Sequence, residues 1–283
     1  MKLNILTFDI EDWFHINDST WVPHQQWSGL DARVSKNTDS ILQLLQSHDI
    51  KATFFVMGWI AEIYPDLVSK IDAAGHDIGY HSYYHMRPLH QSERDYTNDL
   101  TSGTDVISAI TGKKVRIYRA PNLSLDQHTA WIIPILLEHG ITVSSSTKAG
   151  RIIYGQPIPN KPFYWQTKEG QLPEFPLNRL LSPLFPLTFT GSGYFRLFPF
   201  SMTNFLYKTH NYNNGYFHPN DIDPEVPTPP ELGLIRNWLN TVGSSTALYK
   251  LDKLLHNHAF LSIEAALSNI DQTDLPIIQL PHP

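Results

Sequence analysis

The sequence predicts an α/β fold, a distorted or incomplete (β/α) barrel whose working face lies at the C-terminal ends of its strands. Three observations carry that prediction. Short apolar, β-rich runs alternate with helix-period segments through the first half of the chain. Glycine and proline punctuate the boundaries. Several runs end on a carboxylate, an imidazole or a guanidinium, where a strand that only filled a core would place none. Repeated βα units imply parallel strands with helices outside, and a (β/α) barrel or part of one suits 283 residues.

Taken in order, residues 3–10 (LNILTFDI) read as a strand. Residues 33–48 place Ile41, Leu44, Leu45 and His48 at helical spacing. Residues 51–58 (KATFFVMG) are a β-rich run closed by Gly58. In 65–75 a helix starts at Pro65 and stops before Gly75, the expected asymmetry. Residues 76–81 (HDIGYH) read as a short strand, and 92–111 as a polar-faced helix with Ser92 and Asp95 as a capping box. A strand is expected over 115–121, stopped by Pro121, then a helix over 124–140 capped by Ser124 and Gln127, then a strand over 141–147.

The rhythm breaks at 150–200, which is rich in proline, glycine and aromatic residues. It reads as a long insertion over one face of a single domain spanning 1–283. A helical part follows from about 228, with helices at 229–242 and 245–258, a short closing helix in FLSIEAALSN, and a peripheral tail over 271–283.

Composition narrows the function. A net charge of −6 speaks against a nucleic-acid binder. The absence of cysteine removes disulfides and thiolate metal sites, while 14 histidines leave imidazole as the available metal ligand. No apolar run approaches the roughly 20 residues that span a bilayer, and the N-terminus enters a strand directly. The expectation is a cytoplasmic protein, with peripheral association with the cell envelope allowed. Oligomeric state is left open.

The chemistry sits at the strand ends. Asp9 closes the first strand, His81 the third with His85 four residues on, Arg119 the next, and His218 a late one. On a parallel barrel these ends share one face, so residues 9, 81, 85, 119 and 218 should converge. Two histidines and a carboxylate suit Zn²⁺ or a related divalent ion with an open position for water. A second carboxylate can take that water's proton, an arginine can orient it, and a further histidine can protonate a leaving group. The inventory suffices for metal-assisted hydrolysis of an amide or ester. Singly, each residue has a plainer reading: Arg119 as a structural ion pair, His218 as a strand end before Pro219, and Trp13, Phe14, Trp21, Trp27 and Trp165 as core. Lys113 and Lys114 read as a solvated turn.

TFDIED, HSYYH, RAP and FHP, in this order, resemble the successive motifs of the polysaccharide deacetylase family. FDIEDWFH (8–15), GYFRLFPF (193–200) and GYFHPNDID (215–223) resemble its exopolysaccharide-associated branch, over residues 3 to about 268. The resemblance implies Asp9 as catalytic base, Arg119 as its partner, His218 as general acid, and His81 and His85 as metal ligands. The third ligand is Glu11 or Asp12; strand alternation favours Glu11, on the side of Asp9. Trp13, Pro121 and Asn122 are candidate substrate contacts, the Asn122 backbone N–H as an oxyanion donor. Zn²⁺ is the expected ion, with Co²⁺, Ni²⁺ or Mn²⁺ as alternatives. The expected partner is an N-acetylated glycan of a bacterial surface polysaccharide, or its precursor. Two other readings compete: hydrolysis of a small amide, imide or formamide on the same fold, and a catalytically impaired glycan-binding module. One departure bears on them. Where family members often carry an aspartate that tunes the general acid, this chain reads Ser144 to Ser146, leaving Asp221, Asp223 or Glu174 as substitutes.

Overall fold

A run of eight residues near the N-terminus, with three β-branched and three further large apolar side chains, forms β1 (Leu3–Ile10), buried along its whole length. This computed structural model describes residues 2–15, 22–180, 187–228 and 233–281. Trp21 lies outside them. After β1 come α1 (Val34–Ser47), β2 (Thr53–Val56), α2 (Gly58–Ile63), α3 (Pro65–Ala73), β3 (Asp77–Tyr80), α4 (Glu93–Thr111) and β4 (Ile117–Tyr118). Then α5 (Ile132–Glu138), β5 (Val143–Ser144), β6 (Ile152–Ile153), β7 (Gln156–Pro157), β8 (Phe163–Gln166) and β9 (Gln171–Glu174) follow. The chain continues through α6 (Ser192–Leu197), α7 (Phe200–Thr209), β10 (Tyr212–Phe217), α8 (Leu234–Thr241), α9 (Ser244–Asn257), α10 (Ile263–Asn269) and β11 (Ile277–Gln279).

Among the described residues the main sheet has the order β10-β1-β2-β3-β4-β5-β9-β8-β11. The strands from β10 to β9 pair in parallel, and only β8 and β9 pair antiparallel. The helices bury apolar stripes against it: α1 presents Val34, Ile41 and Leu45, and α3 presents Leu67, Val68 and Ile71. The Ser92 hydroxyl accepts the Asp95 N–H at the start of α4, and Gly112 closes that helix at φ 69°, a left-handed conformation that glycine adopts without strain.

Among the described residues no ladder closes the sheet into a full barrel. Instead, side chains bridge the gap between β10 and the chain leaving β9. Asn178 Oδ1 accepts the Asn214 N–H at 2.9 Å, and Asn214 Nδ2 donates to the Phe175 carbonyl at 3.0 Å. Tyr212 reaches the Pro176 carbonyl at 2.7 Å. The barrel is therefore curled and stitched by amides, the distorted form the sequence predicts.

Three expectations change. The helix expected over 124–140 starts only at Ile132. Asp126 and Thr129 hold the preceding residues in turns, through the Asp126 N–H to Thr129 Oγ1 at 2.8 Å and the His128 N–H to Asp126 Oδ1 at 2.8 Å, and Pro134 then fits the first helical turn. The 150–200 segment is not simply laid over one face, because β8 and β9 extend the main sheet. The tail is not wholly peripheral, because β11 pairs with β8 as an edge strand. The expected helix at 229–242 begins at Leu234 among the described residues, where no helix is long and apolar enough to cross a membrane.

One glycine sets the approach of the insertion to the site. A Cβ on Gly191 would lie 1.7 Å from the Tyr216 carbonyl oxygen, in the strand that leads to His218. Gly191→Ala should therefore lower the unfolding free energy by about 1–3 kcal/mol in a urea titration. An unchanged midpoint would show that the two segments separate without cost.

Candidate active site

The site is built from β1 outward. Strand alternation turns Thr7 and Asp9 to one side, and both meet Arg119, which follows β4. Arg119 Nη1 donates to Thr7 Oγ1 at 2.9 Å and to Asp9 Oδ1 at 2.7 Å. Its Nε donates to the Ser145 carbonyl at 2.9 Å and its Nη2 to Ser145 Oγ at 2.8 Å. The guanidinium carbon lies 4.0 Å from the centre of the Phe55 ring, and the side chain is fully buried. The serine run after β5 thus holds the arginine in place. Ser146 Oγ accepts the Ala120 N–H at 2.9 Å and fixes the next residue as well.

The two histidines sit on a loop after β3 whose backbone is bent: Ser82 and His85 take φ values of 63° and 55°. Non-glycine residues adopt that region at some cost. Asp99, on α4, supports the bend. Its Oδ2 accepts from Ser82 Oγ at 3.1 Å and from the Tyr83 N–H at 2.9 Å, while its Oδ1 accepts from the Tyr80 hydroxyl at 2.7 Å. Sequence reasoning missed Asp99, because an aspartate on a polar-faced helix looks like solvated surface.

His81 Nδ1 lies 2.8 Å from the Arg119 carbonyl oxygen, which only accepts, so Nδ1 carries the hydrogen. In the neutral ring, Nε2 is then a lone pair. That lone pair faces Glu11 Oε1 at 2.9 Å, and His85 Nε2 faces the same oxygen at 3.0 Å. The His81 lone pair and the carboxylate oxygen, two electron-rich atoms in contact, need a proton or a cation between them. Glu11, His81 and His85 each offer an atom within 4.8 Å of the other two, all buried. Two imidazole nitrogens and a carboxylate oxygen, with the Nδ1–H of His81 anchored on a carbonyl, fit the donor set of a catalytic divalent-metal site. Burial pushes the Glu11 carboxyl up, but His85, His81 and His218 together hold it well below the usual carboxylate range. Burial pulls His81 down, yet Asp9 and Glu11 outweigh it and raise the imidazole.

Asp12 points elsewhere. Its Oδ1 accepts the Trp13 N–H at 2.8 Å, and its Oδ2 accepts the N–H groups of Arg33 and Val34 at 2.7 and 2.9 Å. It caps α1 and lies outside the His81–His85 cluster. His15, at the end of the same motif, accepts the Asp12 N–H at 2.9 Å within a cage of Phe14, Trp27 and Trp59; burial drives its pKa down to about 3. Trp13 is core, with Nε1 donating to the Asp31 carbonyl at 2.8 Å, and it does not line the cavity. Pro121 is buried, whereas Asn122, at φ 59°, lines the cavity.

Across the site stands His218, after β10. Asp9, Glu11 and His218 also offer atoms within 4.8 Å of one another. His218 Nδ1 lies 3.2 Å from Asp221 Oδ2 and 2.8 Å from Ser192 Oγ, and its Nε2 lies 2.9 Å from the Tyr216 hydroxyl. Asp221 is held in turn by Arg196 at 3.1 Å. Burial pulls His218 down, but Asp221, Glu11 and Asp9 outweigh it, and the ring titrates at about 9. Asp221 therefore takes the place left open by the serine run. Asp223 instead pairs with Arg33 and Asn37, and Glu174 accepts the N–H groups of Ser146 and Thr147. Tyr216, Ser192 and Arg196 line the cavity, about 510 Å³, together with Glu11, His85 and His218. Arg196 and Tyr216 lie in the GYFRLFPF and GYFHPNDID segments, but nothing in the sequence pattern marks either as part of the site.

With the geometry in place, comparison with known proteins is informative. The polysaccharide deacetylase family model matches residues 5–143, and a domain of unknown function (DUF3473) matches residues 144–268. The main sheet runs across that boundary, since β5 pairs with β9 at Ser144 and Glu174. A peptidoglycan-N-acetylglucosamine deacetylase of Bacillus cereus is 34% identical over 84 residues, 30% of this chain and 30% of that protein. The chain spans about a third of the length of the curated relatives it matches. A crystal structure of a candidate polysaccharide deacetylase from Mycobacterium smegmatis superposes with a TM-score of 0.65 at 16% identity, covering 99% of this chain and 94% of that one. A CE4 family pseudoenzyme from Bacillus anthracis gives 0.53 at 15% identity, covering 99% and 70%. These likenesses establish the fold; a pseudoenzyme shares it.

Two outcomes separate the adjacent carboxylates and test the loop support. Asp12→Ala should cost about 1–2 kcal/mol of stability through the lost helix cap, with divalent-metal binding unchanged by calorimetry. Asp99→Ala should weaken metal binding about 10–100-fold by releasing the His81–His85 loop. Wild-type metal affinity in Asp99→Ala would remove Asp99 from the support of the site.

Proposed function

We propose that this chain, which belongs to the polysaccharide deacetylase family through residues 5–143, removes N-acetyl groups from N-acetylhexosamine units of a bacterial surface polysaccharide or its precursor. The observation that carries this reading is the convergence of Glu11, His81 and His85 on one point, with Asp9 and His218 beside it. The cavity, about 510 Å³, falls in the range that accommodates a small organic ligand.

Zn²⁺ suits the two imidazoles and one carboxylate best, with Co²⁺, Ni²⁺ and Mn²⁺ as alternatives. Held by Glu11, His81 and His85, such an ion would polarise the acetamide carbonyl and acidify a water toward neutrality. The chain's own groups do the rest. Asp9, fixed by Arg119 at 2.7 Å, accepts the proton of the attacking water. The Asn122 N–H, on the cavity wall, donates to the oxygen on which negative charge develops. His218, as an imidazolium, keeps its Nδ1–H on Asp221 and gives its Nε2 proton to the departing amine. Acetate and a free amino sugar result.

The test is acetate release from N-acetylglucosamine oligomers by protein holding about one divalent ion per chain. Asp9→Asn should keep the ion and lose turnover by about 10²–10⁴-fold; full activity in that variant would exclude Asp9 as the base. Release of acetate from small amides but from no glycan would move the substrate assignment.

The pH profile gives a second test. His218 is raised from 6.5 to about 9, so it stays protonated through neutral pH and its loss should form the alkaline limb of kcat. Asp221→Asn removes the main attraction and should move that limb to lower pH. The same shift is a stability statement: the contribution of charged His218 is complete below about 6.5 and is lost as pH rises through about 9. An alkaline limb unmoved by Asp221→Asn would dissociate His218 from it.

A further inference from the structure

The proposed reaction uses Glu11, His85, Asn122 and His218, with Asp221 and Ser192 behind His218, among the residues that line the cavity. It does not use Lys148. Lys148 follows the serine run after β5, and its backbone is clamped on both sides: the Leu177 N–H donates to the Thr147 carbonyl at 2.9 Å, and the Ala149 N–H donates to the Leu177 carbonyl at 2.9 Å. The residue is therefore held at a fixed place on the wall rather than on a loose surface loop.

Its charge environment is unusual. Among the described residues Lys148 has no carboxylate partner. The charges that act on it are Arg151 and Arg179, both of its own sign. Arg151 is anchored by the Leu123 and Leu125 carbonyls at 3.0 and 3.1 Å, so it does not turn away. The carboxylates of the cavity are engaged elsewhere, Glu11 with the two histidines and Asp221 with His218 and Arg196. Burial, then Arg151 and Arg179, lowers the Lys148 ammonium to about 8. A half-buried cation among cations is unfavourable in the free protein. An anion in the cavity would relieve it.

We infer that Lys148 marks an anion subsite, so that the substrate carries a carboxylate or a phosphate close to the N-acetyl group that is removed. The location relative to the acetamide rests on the proposed deacetylase reading; the anion preference itself does not. A lysine suits this task, because a flexible point charge accepts either oxyanion without the planar geometry an arginine imposes.

Three probes distinguish the sources: chitotetraose, which is neutral; a hyaluronan tetrasaccharide, which carries glucuronate beside N-acetylglucosamine; and UDP-N-acetylglucosamine, which carries phosphates. Dissociation constants would be measured by calorimetry on the full chain with its metal removed, and acetate release on the metal-loaded chain in parallel. The expectation is that one anionic probe binds at least about tenfold tighter than chitotetraose. Lys148→Met should abolish that preference and leave chitotetraose binding within twofold, and Lys148→Arg should keep most of it. The carboxylate or the phosphate probe, whichever is preferred, identifies the group. Equal binding of neutral and anionic probes, or an equal loss for all three in Lys148→Met, would overturn the inference. An anion preference that depends on Lys148, with no acetate from any probe, would uphold the subsite and contradict the deacetylase reading.

Discussion

Arg119 has no access to solvent, and its guanidinium makes four hydrogen bonds, to Thr7, Asp9 and twice to Ser145. Its carbonyl oxygen takes the Nδ1–H of His81. One residue thus ties β1, the end of β4 and the serine run after β5 to the histidine loop. A buried charge is tolerated only when paired and hydrogen-bonded, and removing one partner of such a pair typically costs about 3–5 kcal/mol. The position of Asp9 and the course of the serine run follow from satisfying this one cation, and the backbone carbonyl of the same residue fixes the tautomer of His81.

The rest of the site divides its carboxylates by neighbourhood. Glu11 faces two imidazoles and is held well below the usual range. Asp221 faces His218 and Arg196 and is likewise lowered, though burial opposes it. Asp12, one residue from Glu11, faces three backbone N–H groups and holds the start of α1. Adjacent residues of one chemistry acquire different tasks because the chain turns as it leaves β1 just before them, with the Glu11 N–H bonded back to the Asp9 carbonyl at 3.1 Å.

Much of this was legible in the sequence, for physical reasons. Strand ends in a parallel α/β sheet share one face, so Asp9, His81, Arg119 and His218 could be brought together without a structure, and alternation placed Glu11 beside Asp9. What periodicity does not encode was missed. Asp99 supports the histidine loop from a helix that follows it, and nothing in its own window marks it. The partner of His218 could be narrowed to Asp221, Asp223 or Glu174, but only packing shows that Arg33 takes Asp223 and the Ser146 and Thr147 N–H groups take Glu174. The 150–200 segment looked like a cover because proline and aromatic residues obscured the two short strands that join the main sheet; one of them, β8, alternates buried Phe163 and Trp165 with half-buried neighbours. Trp13 was legible either as core or as a sugar contact, and its indole N–H bonded to Asp31 places it in the core.

The central claim is that the lone pairs of His81 Nε2 and His85 Nε2 and the Glu11 carboxylate meet on a divalent ion. The most direct measurement is anomalous X-ray scattering from crystals of the full chain loaded with Zn²⁺ or Co²⁺. One strong peak is expected about 2.0–2.2 Å from these three atoms, with Asp12 still on the N–H groups of α1. A peak bound by Asp12 instead, or no peak at the cluster with Glu11 still hydrogen-bonded to both histidines, would contradict it.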